Sequence, residues 1–311
     1  MSNSTVSRLG QVNQAGLDDA LFLKQFGGEI LTEFEIATVF KPRHFVRQIR
    51  NGKTAQFPNI GMVDSAYHVP GQFIDGQRVN HAETVISVDG LLVAPVFVQQ
   101  IDELMNHYDV RGPYATEMGR ELAYEFDKNV ARTGVLAARA SNVLTGRSGG
   151  SAITGTNMGT TVATYRAAIF TAAQTLDEKR ISSSDRALFV RPAQYYMLAQ
   201  DTILINKDYS GAGSIATGRI ETVAGIDLVK TLHLPQTNLT ADATVFSKYR
   251  ADYSKTVGLV MNKMAVGTVQ LMDVSLESEW EMRRQGTFMI AKLAVGHGVL
   301  RPDCAVELAN T

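Results

Sequence analysis

Six histidines, one cysteine and a row of glutamates are the residues with which this sequence could do chemistry. His44, His68, His81, His107, His233 and His297 are scattered, and no H-x-x-x-H or H-E-x-x-H spacing puts two imidazoles on one helical face to hold a metal. His297, between Gly296 and Gly298, is the one with a local setting that would suit a ligand, although a strand end with small neighbours accounts for it better. Cys304 stands beside Asp303, whose carboxylate raises a thiol's pKa, and no G-x-S-x-G elbow offers a serine nucleophile. A lone cysteine forms neither an internal disulfide nor a metal cluster, which fits a reducing compartment. Glu277, Glu279 and Glu281 alternate along an extended run, so their carboxylates point outward in parallel and do not converge on a cation. The Gly/Ser/Thr stretch 141–161 lacks the lysine of a Walker A cradle and the G-x-G-x-x-G of a dinucleotide fold, and it reads as a mobile surface loop. No catalytic residue, metal site or cofactor is expected, and the chain does not read as an enzyme.

Charge is more informative. The 311 residues carry 30 basic and 31 acidic side chains, so the chain as a whole does not attract nucleic acid or an anionic membrane. A composition of 45% hydrophobic and 20% charged residues is that of an ordinary globular protein. At ~150 residues per domain, the length suggests about two domains. The apolar run 91–98 is broken by Pro95 and is far short of the ~20 residues a bilayer span needs. The start of the chain, with only Arg8 for charge and no apolar stretch, reads as a polar arm and not a signal peptide. Locally the charges separate. Lys41, Arg43, Arg47, Arg50 and Lys53 have no acidic residue among them as far as residue 63, whereas residues 102–127 hold seven acidic residues against two basic ones. Glu117, Glu121 and Glu125 recur at i, i+4 on one helical face. Such segments can be the solvated faces of a monomer. They also suit docking between copies of one chain, where complementary potentials set register.

These residues have to be placed by the elements around them. Leu17–Phe40 suggests two short helical pieces about Gly27 and Gly28. From 41 to 89 the pattern is short extended runs divided by turn signals, and Asn51-Gly52 predicts a hairpin. Gly61–Asn80 has too few large apolar residues for a core, so this excursion is expected to be held by another copy of the chain and not by its own body. A buried strand at 91–98, pushed by Pro95 towards a sheet edge or a bulge, precedes a short helix at 99–108. Met118, Leu122, Phe126 and Val130 then place one apolar stripe on a helix over Tyr114–Arg139. A second amphipathic helix at 161–179 leads into an α/β alternation: a strand at 187–192, a helix, a loop with Gly211, Gly213 and Gly218, and a strand at 226–235. Strands resume at Val266. Val274–Arg284 alternates strictly, and Phe288–Val295 is apolar on both faces, as a sheet interior requires.

This order of parts resembles the major capsid proteins of tailed bacteriophages, the Hong Kong-type α+β fold shared with encapsulins. The strings LFLKQFGGEILTEF (21–34), RHFVRQIRNGKTAQFPNIG (43–61), HAETVISVDGLL (81–92), IDELMNHYDVR (101–111), AVGTVQL (265–271) and MIAKLAVGHGVLRP (289–302) resemble those of short-tailed, podovirus-type phages. Over 141–260 the resemblance rests on element order. It implies an N-terminal arm at 1–40, an extended β-loop at 41–90, a peripheral domain of 91–154 and 266–311 with a spine helix about 112–140, and an axial domain at 155–265. It further implies a structural protein whose pentamers and hexamers build an icosahedral shell around double-stranded DNA. Such a shell forms first as a procapsid on a scaffolding protein, has a portal at one vertex, and touches DNA weakly and without specificity. The setting would be the virion, assembled in the bacterial host cytoplasm, with no membrane contact. No motif here carries over the Lys–Asn cross-link of certain relatives. In the resulting scheme Lys41, Arg43, Arg47, Arg50 and Lys53 dock near Glu117, Glu121 and Glu125 of a neighbouring subunit, and maturation reorients that contact. The alternatives are an encapsulin-like compartment shell holding cargo enzyme and, from another class, a soluble α/β enzyme with its site in 155–265.

Overall fold

A computed structural model describes residues 38–101, 111–144, 146–201, 204 and 222–311. The helical pieces expected at 17–40, most of the helix expected at 99–108 and the glycine loop at 211–218 lie outside the described residues. The chain divides into two compact units.

The first unit takes in Gly90–Phe126 and Met272–Val295. Its strand β4 (Leu92–Gln99) runs antiparallel to the first part of β11 (Gly286–Val299), from Leu92 opposite Leu293 to Gln99 opposite Gly286. Of the edge and the bulge that Pro95 allows, β4 takes the edge, since a residue without an amide proton is tolerated where one side of the ladder is open; it is less covered than the buried strand expected, with Val98 alone buried. β11 is interior, flanked on its other side by β10 (Val266–Glu281). Along β10 the expected apolar face holds at Val274, which is buried, and loses cover towards Trp280 and Met282, which are exposed. The long helix α1 (Arg111–Arg139) spends its first half in this unit. At 1.5 Å per residue it is about 43 Å long. Met118, Leu122, Phe126 and Val130 are all buried, and Pro113 falls in the first turn, where the missing amide proton costs nothing.

The second unit comprises Val39–Asp89, Asp127–Leu271 and Gly296–Thr311. It is built on a mixed six-stranded sheet in the order β5–β12–β9–β6–β8–β7. The ranges are β5 Ser151–Gly155, β6 Arg186–Val190, β7 Thr222–Val223, β8 Ile226–Lys230, β9 Thr256–Asn262 and β12 Ala305–Asn310. Helix α2 (Val162–Glu178) lies on β5 and β12 through Tyr165, Ile169, Ala172, Ala173 and Leu176, and the short helix α3 (Pro192–Leu198) follows β6. The stretch expected as a mobile loop at 141–161 is instead partly sheet: β5 pairs parallel with β12, and Leu144 and Met158 are buried. Gly150 makes this possible, because a Cβ there would overlap the Ala137 and Ala138 carbonyl oxygens at the end of α1. Lys179 Nζ then pins the strand's start through Gly149 O (2.8 Å) and Ser151 Oγ (2.7 Å).

The hairpin expected at Asn51-Gly52 is not formed. β1 (Phe45–Gln48) pairs parallel with β10, from Phe45 opposite Gly267 to Gln48 opposite Gln270. β2 (Thr54–Ile60) turns away to pair with β3 (His81–Ser87) over seven residues each. Asn51-Gly52, with Gly52 at φ +110°, is a corner between two sheets. Packing decides the pairing: Ala55 and Phe57 on β2 and Ile86 on β3 share a buried cluster with Val269 and Leu300, which faces β2 towards β3. The root of the ribbon is therefore seated on its own chain, contrary to expectation, and Asn59 Nδ2 donates to Leu300 O (3.0 Å) while Arg147 Nη2 donates to Ile60 O (3.2 Å). Beyond Gly61 this support ends. From Met62 to Asn80 every residue but Val79 is exposed.

Candidate functional site

The basic group along 41–53 is only partly available to a partner. Lys41 and Arg43 sit in a 3-10 turn and are half-buried. Arg43 Nη1 donates to Val39 O (3.3 Å), and Arg47 Nη1 donates to Gln56 O (2.8 Å) with its guanidinium 5.5 Å from the Phe57 ring centre. The Arg47 contacts brace the corner between β1 and β2. Arg50 and Lys53 are exposed. The glutamates lie as their spacing predicts. Glu117, Glu121 and Glu125 line one wall of a groove of about 370 Å³ in the first unit. Its apolar surface comes from Leu92, Ala94, Val96, Met118 and Leu122. Glu117 pairs with Arg120 one turn on (3.3 Å).

The most conspicuous surface was not singled out by charge. At the ribbon tip Tyr67, Phe73 and Ile74 are 102%, 96% and 81% exposed, and Met62, Val63 and Val69 are exposed beside them. Large apolar side chains left in water this close together in sequence are candidates for a partner contact. The signal in the sequence was the alternation of apolar residues with Gly, Pro and Asp in Gly61–Asn80, a composition too poor for a core yet rich enough for a contact.

The residues weighed for chemistry have other employment. The Cys304 thiol is buried and pushed up to about 12, by burial first and the Asp303 carboxylate second. Glu277 pairs with Lys292, and Glu281 with Arg284 (3.3 Å). His44 and His297, far apart in the chain, are both buried and both bonded to Thr268 Oγ1, at 2.8 and 2.7 Å. Asp127, in the middle of α1, accepts the amide protons of Val39 (2.6 Å) and Phe40 (3.3 Å), and its burial raises its pKa to about 7 against the pull of those bonds. Arg139, in the last turn of α1, clamps Glu307 of β12 through two 2.6 Å bonds, and Thr256 Oγ1 donates to the same carboxylate (2.6 Å). Spacing along the sequence did not reveal these long-range pairs. Among the described residues no cluster of His, Cys, Asp and Glu is arranged to hold a metal, and no helix is long and apolar enough to cross a membrane.

Residues 56–309 match the Gp10A-like major capsid protein family. The chain is 33% identical to the major capsid protein of Escherichia phage T7, over 94% of this chain and 92% of that one. A solved capsid structure of cyanophage P-SCSP1u is 44% identical, with a TM-score of 0.81 over 100% of this chain and 99% of the other. The mature capsid of bacteriophage PhiM1, at 18% identity, has the same fold, with a TM-score of 0.74 over 88% and 87% of the two chains. These matches run through 141–260, where the sequence strings alone gave no resemblance. On these matches the chain belongs to the Gp10A-like family of phage major capsid proteins, structural subunits with the Hong Kong-type capsid fold.

Proposed function

We propose that copies of this chain assemble into pentamers and hexamers of an icosahedral shell around double-stranded DNA. In this reading the shell forms on a scaffolding protein in the bacterial host cytoplasm, with a portal at one vertex. The observation that carries it is the ribbon tip, because Tyr67, Phe73 and Ile74 leave apolar surface in water that a neighbouring copy would cover. A tip that seats on a different surface of the next copy makes a head-to-tail contact, the type that closes into rings. Residues 41–90 are the extended loop, about 112–140 the spine helix, and 155–265 the axial domain at the capsomer centre. Of the six-stranded sheet, β6, β7, β8 and β9 fall in that stretch, whereas β12 and all of β5 but Gly155 lie outside it in sequence. Residues 91–154 and 266–311 form the periphery. A formal charge of −1 suits a wall that encloses DNA without gripping it.

The basic stretch Lys41, Arg43, Arg47, Arg50 and Lys53 docks near Glu117, Glu121 and Glu125 of the neighbour, and maturation reorients the contact. Because Arg47 also braces its own chain, the cleaner probe is Arg50. Arg50→Glu is expected to reduce particle yield while leaving free subunit soluble, and Glu121→Arg in the same chain is expected to restore it. Normal particles from Arg50→Glu alone would remove the docking scheme. Nuclease-protected DNA in particles from infected cells would support the phage-shell reading, and cargo protein in its place would favour an encapsulin-like compartment.

A further inference from the structure

We propose that His44, Thr268 and His297 form a proton-sensitive latch that holds the root of the ribbon, at β1, on β10 only while both imidazoles are neutral. The argument is one of donors and acceptors. Phe40 O can only accept, so the 2.6 Å bond to His44 Nδ1 puts a hydrogen on that nitrogen. In the neutral ring Nε2 is then bare, and the Thr268 hydroxyl donates to it (2.8 Å). With its own hydrogen spent, Thr268 Oγ1 accepts from His297 Nδ1 (2.7 Å), which fixes the second ring as the Nδ1–H tautomer too. On the far side the backbone amide of His297 donates to Tyr249 Oη (3.1 Å), and Tyr249 Oη donates to Asp89 (2.6 Å), which Lys248 also holds (2.5 Å).

A proton added to His44 Nε2 removes the acceptor that Thr268 uses. Thr268 Oγ1 can then accept from both rings, but its own hydrogen loses the acceptor it had, in a site closed to water. The surroundings oppose the added charge. Lys41 and Lys263 bear on His44, and Lys248 on His297. Of the nearby carboxylates, Asp89 is engaged by Lys248 and Tyr249, and Asp127 by the Val39 and Phe40 amides. Val46 of β1 is in register with Thr268, so the latch closes at the middle of a strand only four residues long.

Burial, reinforced by Lys263 and Lys41, lowers His44 to about 4 and takes His297 well below its ordinary value. A depressed folded-state pKa stabilises above the unfolded value near 6.5 and loses that contribution as pH falls through about 4.

The test is hydrogen exchange of the purified protein, corrected for intrinsic rates, between about pH 7 and about pH 4. The amides of Phe45–Gln48 are expected to open about a hundredfold more at the acid end, while those of β6 stay protected. Unchanged protection at β1, or its loss only together with β6, would overturn the latch. Thr268→Val is expected to open β1 already at neutral pH, and Thr268→Ser to behave as the parent; a valine variant indistinguishable from the parent would also overturn it. Should Thr268→Val not fold, the histidine ¹⁵N signals of the parent decide. Two Nδ1–H rings at neutral pH are expected, and an Nε2–H or charged ring contradicts the proposal.

Discussion

At the scale of single residues, Arg139 and Thr256 clamp Glu307, whose side chain is 2% exposed. Arg139→Met would leave a buried carboxylate without its cation, a loss of about 3 kcal/mol after discounting for the half-open arginine. Denaturant unfolding checks this, and Arg139→Met with Glu307→Leu should recover much of the loss, because two apolar groups need no partner. Asp127 gives a pH dependence of known sign. Its pKa, raised to about 7 by burial, means its contribution is full below its unfolded value near 4 and is lost as pH rises through about 7. Asp127→Asn should therefore gain on the parent progressively between about pH 4 and about pH 7 in thermal unfolding, with no further gain above that. At this scale the sequence was legible only where neighbours in the chain act on each other. Asp303 beside Cys304 foretold a raised thiol, whereas Thr268, His44 and His297 meet through strand register, which no local spacing encodes.

Elements with a single dominant period were legible. The stripe Met118, Leu122, Phe126, Val130 predicted α1, and Pro95 narrowed β4 to an edge or a bulge, of which the edge is found. The pairing of β1 and β2 was not, since Asn51-Gly52 signals a turn without saying which strands it joins, and the Val269 and Leu300 cluster makes that choice. The loop at 141–161 was misread because Gly150, a flexible residue in isolation, is there a close-packing residue. Gly296 has the same role in β11, where a Cβ would overlap Ser87 O at the end of β3. Gly296→Ala should cost about 1–3 kcal/mol, because backbone on both sides has to shift. Gly76→Ala, at the open ribbon tip, has nothing within 4 Å and should stay within about 0.5 kcal/mol of the parent. Melting of the two variants side by side checks the contrast.

For the whole molecule, element order and the quoted strings were enough to reach the capsid family, and the split of charge between 41–63 and 102–127 suggested how copies meet. What charge did not disclose is the apolar tip. Phe73→Ser with Ile74→Ser should lower shell yield several-fold, by sedimentation, with no change in the unfolding of free subunit, because both side chains are almost wholly in water. The most direct measurement is electron cryomicroscopy of the particles this protein forms. Closed shells in which residues 61–80 of each copy cover apolar surface on a neighbouring copy are the predicted result. Single copies under every condition, each with that ribbon turned back onto its own chain, would contradict it.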